Sequence, residues 1–205
     1  MAGPLVILLH GVGQVPADMA PLGERIAAAW PDARIAALPA ALPFDLGAQG
    51  FQWFSIDGIT EHNRPGRIRA ALPAFIDTIR AVQREHDAGP ADTVLAGFSQ
   101  GAIMTLAACS GTWLARHALA IAGRCAPLPE RWETRTAVSL VHGTMDGTVP
   151  PDHSRRAAAR LAELGADVQL ELVSRGLHTL SPAILKATLR ALARPLVRPP
   201  GLVSI

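Results

Sequence analysis

The chain has 205 residues, of which 49% are apolar and 18% charged, with a net charge of +2. That length suits one domain with a substantial buried core, and so small a charge excludes nucleic acid as an expected partner. Two cysteines, Cys109 and Cys125, make no disulfide framework. No apolar run approaches the ~18 residues of a membrane span, and no basic residue precedes the first apolar run as a signal peptide requires. The expectation is a cytoplasmic protein with reduced, buried thiols and no stable membrane insertion.

The predicted elements alternate. Leu5-Val6-Ile7-Leu8-Leu9 reads as a buried strand. A helix over 18–30 carries Met19, Leu22, Ile26 and Trp30 at helical spacing. A short strand over 34–38 is followed by the one long connection, 39–63, rich in Gly and Pro. A helix over 64–85 follows, with Ile68, Leu72, Phe75, Ile76, Ile79 and Val82 on one face. Strand 93–96, helix 99–109, and strands 118–122 and 138–142 come next. Helix 152–164, strand 168–173 and helix 181–192 complete the series, and the Pro- and Arg-bearing tail 194–205 has no period and is expected to be loose. Strict alternation predicts an α/β fold, a mostly parallel sheet of about six to seven strands with helices on both faces. No internal repeat or linker breaks 1–205 into more than one domain.

The most specific motif is Gly97-Phe98-Ser99-Gln100-Gly101 between the apolar run Thr93-Val94-Leu95-Ala96 and the helix-like run from Ala102 to Cys109. In a strand–turn–helix context, G-x-S-x-G is a nucleophile elbow: the turn is too tight for side chains at either glycine, and the serine hydroxyl is thrust out where a substrate reaches it. The alternative is a glycine-rich turn that only packs. A serine nucleophile needs a base and the base needs an orienting acid, in the chain order Ser, Asp or Glu, His, each after a strand. Asp146 follows the strand ending in His142-Gly143, and His178 follows Val168-Gln169-Leu170-Glu171-Leu172-Val173. Both sit beyond the carboxyl ends of strands, where open α/β sheets bind ligands.

An oxyanion hole needs two amides. The Gln100 N–H follows the serine, and His10-Gly11-Val12-Gly13 after the first strand offers the Val12 N–H as the second donor. That glycine turn lacks the spacing of a phosphate-binding loop, and His10 reads as a brace for it. The seven histidines form no H-x3-H pair or Cys/His cluster, so neither a metal nor any other cofactor is expected. His142 reads as a strand terminus. Arg64, Arg67 and Arg69, like Arg155, Arg156 and Arg160, read as solvated helix faces.

The segment 39–63 concentrates Phe44, Phe51, Trp53 and Phe54. Long ordered loops are disproportionately functional. One reading is a partial lid binding an acyl chain or ester alkyl group, with Trp53 nearest the substrate; the other is a loop burying its own aromatics over the core. Composition does not choose between them.

Leu9-His10-Gly11-Val12-Gly13, the G-F-S-Q-G box, His142-Gly143-Thr144-Met145-Asp146-Gly147-Thr148-Val149-Pro150, the late His178 and the Trp53-Phe54 pair together resemble the phospholipase/carboxylesterase family of α/β-hydrolases, nearest its short bacterial esterase branch. The likeness runs from Leu5 to about Ala193. It implies an α/β-hydrolase fold, Ser99 as nucleophile, His178 as base, Asp146 as orienting acid, and a possible homodimer. Two departures stand at the approaches to the site: Gln14 where many relatives carry Asp, and Leu177 where many carry Gly.

The expected function is hydrolysis of small-molecule carboxylic esters, of carboxylesterase or lysophospholipase type, through an acyl-enzyme. The alternative is a thioesterase acting on acyl-proteins or acyl-CoA, which shares the chemistry; a catalytically silent binding module is the remote third.

Overall fold

The computed structural model describes residues 3–194. The chain runs β1 (Leu5–Leu9), α1 (Ala20–Ala29), β2 (Arg34–Leu38), β3 (Leu42–Pro43), β4 (Phe51–Gln52), α2 (Arg64–Glu85) and β5 (Thr93–Phe98). It continues through α3 (Gln100–Gly111), β6 (His117–Ile121), β7 (Ala137–Gly143), α4 (Asp152–Glu163), β8 (Val168–Val173) and α5 (Pro182–Ala193). Six strands form one sheet in the order β2-β1-β5-β6-β7-β8, and each neighbouring pair is parallel. From residue 195 on, the tail expected to be loose lies outside the described residues.

Parallel sheets need both faces covered, and here the period-2 alternation of each strand feeds two separate cores. Leu5, Ile7, Leu9, Leu95, Ala118 and Leu140 pack on one side against α2, α3 and α4, where Ile68, Phe75, Ile79 and Leu161 meet them. Val6, Leu8, Val94, Ala96, Leu119 and Val141 pack on the other against Leu22 and Ile26 of α1 and Ile184 and Leu185 of α5. Most are wholly buried, each Val, Leu, Ile or Phe contributing about 1.5–3 kcal/mol of burial free energy.

Outside β1, β2, α2 and β8, most element boundaries shift by a residue or two, and several of the shifts have a local reason. The first helix starts at Ala20, after a single 3-10 turn over Pro16–Met19, with Pro21 in its first turn, where a missing N–H costs nothing. The strand expected to end at 96 continues through Phe98, and α3 begins at Gln100, because Ser99 itself adopts φ 52, ψ −112, which belongs to neither element. β6 ends at Ile121, since Ala122 turns to φ 51. Ser181 is the N-cap of α5 rather than its first residue, its hydroxyl accepting the Ile184 N–H. The antiparallel β3–β4 hairpin inside the long connection was not expected; each strand is two residues, too short to carry a period.

Candidate active site

Residues from three strand ends converge at the carboxyl edge of the sheet. The turn after β5 is as tight as its glycines suggest: a Cβ at Gly97 would stand 2.4 Å from the carbonyl carbon of Gly101, and one at Gly101 would stand 2.2 Å from the Leu9 oxygen. Ser99 is pinned on both sides, its N–H donating to the Ile121 carbonyl at 2.9 Å and its own carbonyl accepting from Ile103 N–H at 3.1 Å. A positive φ at a non-glycine residue is a strained conformation held by its surroundings, and it aims the side chain out of the turn.

His178 Nε2 lies 2.9 Å from Ser99 Oγ, and its Nδ1 lies 2.7 Å from Asp146 Oδ2. Since Asp146 offers Nδ1 an acceptor, the proton belongs on Nδ1 and Nε2 is the lone pair that receives the serine O–H. The imidazole also rests against the Phe98 ring, centroids 5.0 Å apart. Asp146 is buried, with Oδ1 accepting from the Thr148 and Val149 amides at 2.9 and 2.8 Å.

The loops that carry Asp146 and His178 lock together backbone to backbone. Met145 N–H donates to the Gly176 carbonyl at 2.9 Å and Thr144 N–H to the Val173 carbonyl at 2.9 Å. A Cβ at Gly143 would stand 2.3 Å from the Gly176 oxygen, so this approach is open only to a glycine. Beside His178, the departure Leu177 is exposed, as is Met145.

The loop after β1 lies against the serine, for a Cβ at Gly11 would stand 3.3 Å from Ser99 Cβ. Its amides are allotted one by one. Gly11 N–H donates to Gln14 Oε1 at 2.8 Å, Gly13 N–H to the Phe51 carbonyl, and Gln14 N–H to the Gly11 carbonyl. Among the described residues no acceptor takes the Val12 N–H or the Gln100 N–H. Gln14, the other departure, is therefore the clamp of this loop.

Trp53 is 6% exposed, and the long connection is fastened through it. Its N–H donates to Gln100 Oε1 at 2.7 Å, its indole N–H donates to the His10 carbonyl at 2.8 Å, and the Gln100 amide donates to the Phe54 carbonyl at 2.7 Å. Trp53 packs between the His10 and Phe75 rings and walls a cavity of about 410 Å³ formed with Leu42, Phe54, Ala71 and Phe75. The outer part of the connection, with Leu42, Leu46 and Phe51, is exposed. The segment thus buries its inner aromatics and presents its outer ones.

Three side chains near the site have roles set by their hydrogen-bond partners, and the first, His10, is the brace that its position suggests. His10 accepts the Ala40 N–H at 3.1 Å, and burial holds its pKa below the usual histidine value. The Gln100 side chain, expected to matter only through its backbone, holds the 53–54 segment. His142, read as a strand terminus, places Nε2 2.8 Å from the Val149 carbonyl and 3.2 Å from Asp146 Oδ2, while Nδ1 lies 2.7 Å from Ser154 Oγ. Burial keeps it neutral by lowering its pKa, so Nε2 carries the proton and Ser154 donates to Nδ1. Cys109 and Cys125 are free thiols whose pKa values burial pushes up to about 12. Among the described residues no three His, Cys, Asp or Glu side chains are grouped to hold a metal ion, and no helix is long and apolar enough to cross a membrane.

A serine on a strand–turn–helix elbow, with a histidine and a buried aspartate after later strands of a parallel sheet, defines an α/β-hydrolase. The chain belongs to the phospholipase/carboxylesterase family, whose model matches residues 1–194. It is 41% identical over 173 residues to Esterase YpfH of Escherichia coli (strain K12), covering 84% of this chain and 74% of that one. Among solved structures it superposes on esterase PE8 with a TM-score of 0.85 at 30% identity, over 92% of this chain and 91% of that one. A carboxylesterase from Mesorhizobium loti shares the fold at a TM-score of 0.77 and 22% identity, over 94% and 89% of the two chains.

Proposed function

We propose that the chain hydrolyses carboxylic esters through an acyl-enzyme, with Ser99 as nucleophile, His178 as base and Asp146 as the orienting acid. The observation that carries this reading is the continuous line Asp146 Oδ2, His178, Ser99 Oγ at 2.7 and 2.9 Å. His178 Nε2 takes the serine proton as Oγ attacks the acyl carbon. Asp146 holds the tautomer and stabilises the imidazolium that forms. The Val12 and Gln100 amides, free of other acceptors, receive the oxyanion, each worth about 2.7–4 kcal/mol where one such donor has been removed. The protonated histidine then gives its proton to the leaving alcohol. Water, deprotonated by His178, attacks the acyl-serine and releases the acid.

The chemistry serves thioesters equally. Esters are favoured because the similar proteins bear the names esterase and carboxylesterase. A small-molecule ester is the proposed substrate, and a cytoplasmic location goes with the unpaired state of Cys109 and Cys125.

The test is labelling with a fluorophosphonate, with mass spectrometry to locate the adduct, beside hydrolysis of p-nitrophenyl esters from acetyl to palmitoyl and matched thioesters. A single adduct on Ser99, ester turnover abolished by Ser99→Ala, and faster ester than thioester cleavage are expected. An unlabelled Ser99 with turnover surviving Ser99→Ala would overturn the mechanism.

A further inference from the structure

A second cavity, of about 190 Å³, opens among Glu61, Pro65, Arg124, Cys125, His153 and Arg156. Its charges do not balance. Glu61 Oε1 is shared by Arg124 Nη1 at 2.7 Å and Arg64 Nη2 at 3.0 Å, and the Arg124 and Arg64 side chains are only 11% and 14% exposed. Arg156 adds a third guanidinium, donating to His153 Nδ1 at 3.0 Å. Burial and the neighbouring Arg124 and Arg156 hold the His153 pKa below its ordinary value. With Nδ1 occupied as an acceptor, neutral His153 turns an Nε2–H donor outward. Two guanidiniums thus share one carboxylate, and the third, Arg156, lines the cavity with no acid of its own among these residues.

The donors are also underused. A guanidinium has five N–H groups, yet among the described residues Arg124 makes one hydrogen bond, to Glu61, and the buried Arg64 Nε has no acceptor. Nearly buried cations with unmet donors are costly unless an anion completes them. A solvated face, expected from sequence for Arg64, does not describe it.

The cavity is joined to Ser99 by short covalent and hydrogen-bonded paths. Gly123, just before Arg124, packs on the elbow: a Cβ there would stand 3.5 Å from the Ser99 carbonyl oxygen and 2.5 Å from Ala102 Cβ. Ser154, just after His153, holds His142, which in turn meets Asp146. A volume of this size is below that of a pocket for a whole drug-sized ligand but admits a carboxylate or phosphate group, the oxyanions that arginine forks recognise.

We propose that this Arg124–Arg156 pocket binds the anionic end of an ester whose acyl carbonyl reaches Ser99, making the enzyme selective for negatively charged esters. The proposal rests on the ester-hydrolase reading of Ser99. Arg124 and Arg156 are specificity residues, and Glu61 tunes Arg124 by holding part of its charge.

Two ester pairs test it, each differing in one anionic group: monomethyl against dimethyl adipate for a carboxylate, and butyryl glycerol phosphate against monobutyrin for a phosphate. The wild type should favour the charged member of at least one pair by about tenfold in kcat/KM, the effect of one charge-assisted contact, and added salt should erode the preference. The pair that responds identifies the anion. Arg156→Gln, at an exposed position, and Arg124→Gln should each pull the charged-to-neutral ratio toward unity. Glu61→Gln should raise it, which a purely structural Glu61 would not do. A wild-type ratio near unity in both pairs, or a ratio unmoved by all three variants, overturns the proposal. Calorimetric titration of the Ser99→Ala protein with adipate and with inorganic phosphate separates the two readings. Binding lost in Arg124→Gln without turnover of any ester would leave the anion pocket standing and the hydrolase reading fallen. No binding of either anion would remove the pocket alone.

Discussion

His142 Nε2 lies 3.2 Å from Asp146 Oδ2, the same oxygen that His178 Nδ1 meets at 2.7 Å. The buried acid is therefore held by two imidazoles at one oxygen and two amides at the other. His142 does not touch the serine; it fixes the rotation of the carboxylate that orients His178, the proposed base.

His142→Gln should accordingly lower kcat with little change in KM. The Nε2–H is shared with the Val149 carbonyl at 2.8 Å, so its contact with the carboxylate is worth about 0.5–1.5 kcal/mol and turnover should fall roughly two- to tenfold. Steady-state kinetics beside a thermal melt separate this from unfolding: equal losses in kcat and in folded fraction would sink the positioning role.

Gly176→Ala tests the contact between the two loops. Its Cβ would meet Gly143 Cα at 2.8 Å and the Val173 oxygen at 3.1 Å, and neither backbone can swing aside. Overpacking of this kind costs about 1–3 kcal/mol, and a shift of about 1 Å between base and serine can cost roughly a hundredfold in rate. A lowered Tm with a larger loss of kcat is expected; unchanged kcat would show that the loops need not touch.

Trp53→Ala should do two things at once. Removing a buried tryptophan costs about 3–5 kcal/mol, so the Tm should drop. The wall between the His10 loop and the cavity of about 410 Å³ also disappears, and relative rates on p-nitrophenyl esters should move toward longer acyl chains. A chain-length profile identical to wild type would show that the cavity has no access to the acyl group.

Acid should weaken the fold before it affects carboxylates. Burial, with help from Arg194 and Arg116, pushes the pKa of His117 down to about 3, against about 6.5 in an unfolded chain. Its contribution is therefore fully present above the unfolded value and is lost as pH falls from there toward about 3, because the unfolded state binds a proton that the folded state refuses. The slope approaches about 1.4 kcal/mol per pH unit for such a group. His10 and His142 are shifted in the same direction. Urea melts between about pH 7 and pH 4 should show the decline, and His117→Gln should flatten it; parallel curves for variant and wild type would count against this assignment.

The legible part of the molecule is the part with local causes. β1, β2, α2 and β8 fall at their expected bounds because apolar periodicity sets them within a few residues. The three strand ends that bring Ser99, Asp146 and His178 within hydrogen-bonding distance were readable from turn chemistry. What escaped depends on partners far along the chain. His10 reaches Ala40 across 30 residues and the Gln100 side chain reaches Trp53 and Phe54 across 47 and 46, and nothing near either position in the sequence encodes those bonds. Arg64 and Arg124 are 60 residues apart and meet only through Glu61. The alternation of charge along one helix could not reveal that its arginine is buried against another loop.

The long reach from Ser99 to His178 has a consequence for how the protein comes into being. The hydroxyl and both candidate amides lie within the first hundred residues, while the histidine proposed to activate the hydroxyl comes far later, on the loop after the edge strand. A nascent chain is made from its N-terminus, so the serine exists for much of synthesis before its proposed base does. Competence then appears at one moment, when the final strand seats beside β7 and Gly176 closes on Gly143. Until then the proposed nucleophile stands in the chain without its proposed base.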